Sequence, residues 1–331
     1  MSNHQSTAGR RTRPCRTEAT VVAALAALCL VLPLASQAEE GGSGHYIPGS
    51  MASFMDVVPP TETFLARLNV MHYDGSASKA LPIAGLDAAN ASVKSTAYGL
   101  TLLWRPPVEM TEGWSYAMST TIPYVTMEVT ADVQGGGGSV RRSSKVSGLG
   151  DIILMPLMLN YVVNPDLSSN FRVAFYAPTG AYEVGRLANT GKNFWTLEPT
   201  LAFAYLGKQN GIEASLFTGI SFNKENPDTQ YKSGSQLHLD GTLAQHFPFA
   251  GGLAGVGLSG YYYKQVSADS GTGATLGDFK AKSVGIGPAL SYAGKAGQND
   301  YLAELKWLHE SSTENRLKGD FVWFKFIYKF F

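Results

Sequence analysis

The last twelve residues, Asp320-Phe-Val-Trp-Phe-Lys-Phe-Ile-Tyr-Lys-Phe-Phe331, alternate in a way few folds accommodate. Successive side chains of a strand point to opposite faces. Val322, Phe324, Phe326, Tyr328 and Phe330 therefore share one face, and Lys325 and Lys329 the other. A face that apolar, ending in aromatics, suits a strand with lipid on one side and a polar interior on the other. Eleven further stretches carry weaker versions of the pattern: 61–73, 94–104, 114–125, 151–161, 170–177, 195–206, 212–223, 236–247, 254–264, 280–292 and 301–309. In the first, Phe64, Ala66, Leu68 and Val70 oppose Thr63, Arg67 and Asn69; in 236–247, Leu237, Leu239 and Leu243 oppose Gln236, His238, Asp240 and Thr242. Most have about the length a tilted strand needs to cross hydrocarbon, roughly 9–11 residues. Trp104, Trp114, Tyr161, Trp195, Tyr205, Tyr292 and Tyr301 fall at their ends, where an interfacial girdle belongs.

The connections add a second periodicity. Segments 74–93, 128–150, 178–194, 224–235, 265–279 and 310–319 are long and polar; the interleaved 105–113, 162–169, 207–211, 248–253 and 293–299 are shorter. Long–short alternation is what a barrel shows when one set of loops faces outside and the other the periplasm, with both termini periplasmic. A β-sandwich has no reason to alternate loop length. The expected fold is all-β: a transmembrane antiparallel up-and-down barrel of about 12 strands over residues 61–331.

The front of the chain reads as an export signal. Arg10, Arg11, Arg13 and Arg16 precede an apolar run from Ala19 to Ala35, and Ser36-Gln37-Ala38 offers a cleavage site before Glu39-Glu40. The run is short for a spanning helix, normally about 20 residues. Residues 1–38 are thus an expected signal peptide, cleaved near Ala38. The two cysteines, Cys15 and Cys29, lie within it, so thiol and disulfide chemistry leave with it. With 26 basic and 26 acidic residues the chain carries no nucleic-acid footprint. A mean hydropathy of −0.04 and no second long apolar run exclude a helical membrane protein.

On the face opposite the lipid, the strands bring Arg67, Arg172, Glu198, Glu213, His238, Asp240, Glu304 and Lys306 into the lumen. Mixed signs in a barrel this narrow read as pairs that stiffen the wall; if Asp240 pairs with Arg67 or Arg172, it does so in a wet lumen, where breaking the pair costs little. Residues 39–60, rich in Gly and Pro and carrying Phe54, Met55 and Asp56, precede the first strand and are a candidate lumenal plug or gate. His238 and Asp240, two apart on one face, also permit a hydrolase, but no serine is placed against them. Gly255-Val-Gly-Leu-Ser-Gly260 spells a dinucleotide fingerprint without the helix it needs, since Tyr261-Tyr-Tyr-Lys264 continues a strand. Gly135 to Gly138 reads as a loop tip, and His45, His72, His246 and His309 have no metal-site spacing.

Several segments resemble the MetA-pathway of phenol degradation family: Gly44-His-Tyr-Ile-Pro-Gly-Ser50, Phe54-Met-Asp-Val-Val-Pro-Pro60, Gly148-Leu-Gly-Asp151 leading to Pro156, Ala177-Pro-Thr-Gly-Ala-Tyr182 and Gly285-Ile-Gly-Pro288. The resemblance spans His45 to Phe331 and implies an outer-membrane transporter for aromatic compounds. The expectation is a monomeric Gram-negative outer-membrane channel passing small hydrophobic, phenol-like solutes by diffusion. Its partners would be outer-membrane lipid, the solute and, during biogenesis, the barrel-assembly machinery. No enzyme activity, cofactor, metal or nucleic acid is expected; the alternatives are an outer-membrane lipase or esterase and a closed structural barrel.

Overall fold

The computed structural model describes residues 39–135, 137–275 and 280–330. The expected signal peptide lies outside the described residues. Fourteen strands follow one another: β1 (Thr63–Ala77), β2 (Leu81–Ile83), β3 (Leu86–Arg105), β4 (Trp114–Gly135), β5 (Gly138–Leu149), β6 (Ile152–Asn164), β7 (Leu167–Ala177), β8 (Thr196–Leu206), β9 (Ile212–Asn223), β10 (Gln236–Phe249), β11 (Gly252–Gln265), β12 (Lys282–Ala296), β13 (Asn299–Glu314) and β14 (Lys318–Lys329). β1 pairs antiparallel with β14 on one side and β3 on the other, and β3 pairs with β4. Each later barrel strand pairs with the one before it, so the sheet closes with twelve strands in the ring. β2 and β5 are extra: β2 caps the start of β3, and β5 continues along the outer half of β4 above β6.

Closure pairs both edges of the strands in the ring, the only way strands can cross lipid with their backbone groups paired. The side chains then sort by parity. In β10, Leu243 is 63% exposed while Asp240 is 1% exposed. On β14, Val322 and Phe324 face out and Lys325 is fully buried inside. Trp104, Trp114 and Trp195 stand exposed at strand ends. An apolar outer surface over a polar, buried interior is the inverse of a soluble sandwich.

Three of the expected long loops turn out to be strand. β1 runs on to Ala77 and β3 starts at Leu86; β4 continues to Gly135 and returns as β5; β13 reaches Glu314 and β14 resumes at Lys318. β4 has 22 residues, twice what the hydrocarbon requires. The extensions carry Ser92, Lys94, Glu128 and Lys145 on their outer faces because water rather than lipid meets them there. Alternating hydrophobicity therefore stops at the membrane boundary while the hydrogen-bond ladder does not. The remaining long connections, 178–195, 224–235 and 266–281, share one end of the barrel; two-residue turns such as 165–166 and 250–251 mark the other.

The parity has a direct test. Leu239→Arg places a cation on the lipid side of β10, which costs about 2–4 kcal/mol near the bilayer midplane. The folded fraction in lipid vesicles, followed by the heat-modifiable gel band, should fall clearly below wild type. A variant that folds normally would mean that β10 is assigned inside out.

Candidate functional site

The segment before β1 occupies the lumen. It enters at the loop end, where Glu39 lies 3.4 Å from Arg316 of the β13–β14 turn and the Glu40 amide donates to Ser233 of the β9–β10 loop. It leaves at the turn end, where Arg105 donates to the Pro59 carbonyl at 2.7 Å. Glu39 therefore sits at the opposite end from Lys329, whereas the start of β1 lies beside the end of β14, with Leu65 opposite Lys329.

Between these ends the segment is hydrogen-bonded to the wall side chains. The Gly49 amide donates to Asp240 at 3.0 Å, and the Phe54 amide to Glu213 at 2.7 Å. Gly49 has φ +79°, and a Cβ there would stand 2.3 Å from Leu308, so glycine is required at that close approach. Lys306 donates to the Met51 carbonyl at 3.0 Å and Trp323 to that of Pro48 at 3.2 Å. A single turn, Phe54–Asp56, puts Asp56 at the centre. Its carboxylate takes Arg67 at 2.8 Å on one oxygen and Lys325 at 2.8 Å on the other, while its carbonyl accepts from Arg172 at 2.9 Å. Met55 packs with Val58, Leu65, Leu103, Met158 and Ile327, and Phe54 meets the His246 ring edge-on at 5.0 Å.

His238 and Asp240 are bonded at 2.8 Å, and Tyr46 stacks on the His238 ring at 3.6 Å. Asp240 thus pairs with His238 and the Gly49 amide, not with Arg67 or Arg172. At 1% exposure it is not in a wet lumen either. Removing its charge costs more than a solvated pair would, because the partners stay buried. His238 Nε2 lies 3.6 Å from Glu198 and has no hydrogen-bond partner among the described residues, so no hydroxyl stands ready as a nucleophile. Glu198 accepts from Tyr176 and Ser221; Glu213 accepts from His246 at 2.7 Å; Glu304 lies within 3.4 Å of both Lys306 and Lys325.

Sequence reasoning did not include Lys325 in the lumenal set, although it shares the inward parity. It also placed Glu310 in a loop. β13 in fact continues past His309, and Glu310 shares the inward face of Glu304 and Lys306, where Tyr73 and Tyr261 donate to it at 3.0 and 2.7 Å. A third cluster joins segments far apart in the chain. Asp151 accepts from the Gly180 and Lys192 amides at 2.9 and 2.7 Å and bonds His45 Nε2 at 2.9 Å. Tyr182 donates to Glu40 at 2.8 Å. The glycine-rich 255–260 stretch lies inside β11, and Gly135 and Gly138 are paired at the tip of the β4–β5 hairpin. Among the described residues no cluster of His, Cys, Asp or Glu is arranged to hold a metal.

The bonds to Glu213, Asp240, Lys306, Trp323 and Lys325 tie the lumenal segment to β9, β10, β13 and β14, and Arg67 of β1 and Arg172 of β7 reach Asp56 from other strands. Between the segment and the wall of β1, β3, β4 and β6, space remains. A cavity of about 260 Å³ at the loop end is lined by Leu81, Val93, Val129 and Phe321. A second of about 160 Å³ toward the turn end is lined by Leu65, Leu103, Met158 and Ile327. His45, Ile47, Met71, Ala97 and Tyr176 line both, so the two are neighbours along one wall.

A closed twelve-strand barrel with an apolar outer face and a filled polar lumen is an outer-membrane β-barrel of Gram-negative type. The family model described as "Putative MetA-pathway of phenol degradation" matches residues 73–326, and the chain belongs to that family. Among solved structures it is similar to the COG4313 outer membrane channel from Pseudomonas putida F1, with TM-score 0.62 and 15% identity, covering 86% of this chain and 100% of that one. The β-domain of the Bordetella autotransporter BrkA follows, with TM-score 0.45 and 10% identity over 82% of this chain and 100% of that one. A FadL homologue of Pseudomonas aeruginosa gives 0.36 and 9% over 81% and 89%. Only the first of these likenesses is close enough to bear on the fold. No curated protein matches the chain.

The loop end carries a pH dependence. Burial pushes the Asp269 carboxyl up to about 7, despite bonds from Tyr231, the Gly234 amide and Gln265. Burial likewise raises Glu39 and Glu40. An acid raised on folding binds more protons in the native state than in the unfolded one. Its stabilising contribution is complete below about pH 4 and is lost as pH rises through about 7. Thermal unfolding followed from pH 5 to pH 8 should show a falling Tm, with a shallower fall in Asp269→Asn. Equal slopes would show that Asp269 ionises as freely as in water.

Proposed function

We propose that this chain is a channel through which small apolar solutes, aromatic ones foremost, diffuse across the outer membrane, with residues 39–60 as its gate. The observation that carries the reading is the pair of adjoining cavities between the lumenal segment and the wall of β1, β3, β4 and β6. An apolar cavity of about 150 Å³ takes a benzene ring, so each space admits a single-ring solute. The family description names phenol degradation, and its solved structural relative is titled an outer membrane channel. With the long loops outside, the larger cavity meets the medium first and the smaller one leads toward the periplasm. A single chain closes the barrel, which supports a channel complete in one monomer.

The hydrolase reading asks His238 to work while buried under Tyr46 with its Nε2 unpartnered. A closed structural barrel has no use for two apolar spaces in line. Uptake of labelled phenol, toluene and benzyl alcohol should fall in cells lacking the gene and return with it. Equal uptake across such a panel would remove the channel.

Gating has its own test. Deleting Glu39 to Ser53 should raise the conductance of the barrel in planar bilayers, and deletion through Pro60, which also removes Asp56, should raise it further. Unchanged conductance after the longer deletion would show that this segment obstructs nothing.

A further inference from the structure

The two cavities differ in charge. In the larger, Lys192 and Arg316 face Glu40 and Asp151, and Arg316 is also held by Glu39 at 3.4 Å and lies over the Tyr263 ring at 4.4 Å. Cations and carboxylates balance there. The smaller cavity has Arg67 and Arg172 in its wall and a single carboxylate, Asp56. That carboxylate is already committed, one oxygen to Arg67 at 2.8 Å and the other to Lys325 at 2.8 Å. Just beyond, Lys306 shares Glu304 with Lys325. Arg67, Arg172, Lys306 and Lys325 therefore converge on two acids, Asp56 and Glu304. Glu213, the next acid along, is taken up by His246, Ser215 and the Phe54 amide.

Arg172 is the residue this arrangement leaves over. It is 4% exposed. Its Nε donates to Asn170 at 2.6 Å and one Nη to the Asp56 carbonyl at 2.9 Å. It makes no ion pair among the described residues, and its flat face lies 5.1 Å from the Phe217 ring centre. Arg67, from the opposite wall, has a buried Nε without a hydrogen-bond partner. A buried guanidinium with no anion is costly, and its planar donors match a carboxylate. Apolar Leu65, Leu103, Met158 and Ile327 complete the wall around them.

We infer that the smaller cavity is an anion subsite which takes the carboxylate of an aromatic or otherwise apolar monocarboxylic acid between Arg67 and Arg172, with the apolar body against Leu65, Leu103 and Met158. This rests on the channel reading and narrows it: acids are selected over neutral solutes of the same shape. A carboxylate between the arginines offsets the charge that Arg172 leaves uncompensated, and the ring fills a space of about 160 Å³. Arg67 need not release Asp56, because the Nε it offers is separate from the Nη1 that Asp56 holds.

The test compares three probes on the purified full chain by calorimetry: benzoate, benzamide as its neutral isostere, and acetate as the carboxylate without a ring. Benzoate should bind at least about tenfold more tightly than either, a difference of about 1.4 kcal/mol. Arg172→Met should erase the preference over benzamide; Arg172→Lys should keep part of it. Equal binding of benzoate and benzamide by the wild-type protein overturns the subsite whether or not any variant folds. Equal binding of benzoate and acetate overturns it too, since the site would then hold any small anion. The channel reading is judged separately by uptake of neutral phenol: uptake without acid preference leaves that reading standing and removes this one.

Discussion

Asp56 is the residue on which the interior depends. Its two carboxylate oxygens hold Arg67 of β1 and Lys325 of β14, the strands that meet to close the barrel. In that seam Asn69 is opposite Lys325 and Arg67 opposite Ile327, so the two cations lie a step apart on the same inner face. Without Asp56, Arg67 would have no acid beside it among the described residues, and Lys325 only Glu304, which it shares with Lys306. The lumenal segment supplies that acid. Barrel closure and placement of the segment are therefore one event energetically: the seam is well paired only when Asp56 is in it. Breaking a buried pair by removing one partner costs about 3–5 kcal/mol, because the other charge is left behind.

The sequence shows this architecture unevenly, for physical reasons. Lipid imposes a sign on every second residue, so the outward faces of β1, β10 and β14 are visible as alternation. Above the membrane, water accepts either kind of residue, and the strand extensions at 86–93 and 128–149 look like loops although the backbone remains paired. The same effect conceals Glu310. Inside, parity says that Asp240 points to the lumen but not what it meets there. Its partners are a histidine two residues away and the amide of Gly49, 191 positions distant. No local pattern encodes that second contact.

The segments that carry the family resemblance have a shared geometry that their spacing does not reveal. Asp151 at the end of one motif receives the Gly180 amide from another and bonds His45 from a third. A Cβ at Gly180 would stand 2.6 Å from the Gly191 backbone, so the loop after β7 folds back on itself at contact distance. Read singly, each motif is a turn signal of Gly, Pro and a small polar residue. Together they form the bracket that fixes the loop end of the lumenal segment to the wall. Tyr182 on Glu40 adds the last tie.

The lumenal segment is fastened unequally, and that asymmetry bears on how a solute passes. Five of its hydrogen bonds run to β9, β10, β13 and β14, through Glu213, Asp240, Lys306, Trp323 and Lys325, while Arg67 of β1 and Arg172 of β7 hold Asp56 from other strands. Toward β3 and β4 it faces Ala97, Leu103 and Pro123 across the two cavities. Displacing the whole segment would strand several buried charges at once, each a loss of kcal/mol size. Moving a solute along the β3–β4 side breaks none of the bonds to β9–β14, because the wall there is mostly apolar, with Ala97, Leu103 and Pro123 set among Thr101, Ser119 and Thr121. Met51, Met55 and Met155 border that path, and an unbranched thioether side chain repacks more cheaply than a branched or aromatic one. The polar half of the lumen thus keeps the segment in place, while the apolar half is the one that can yield.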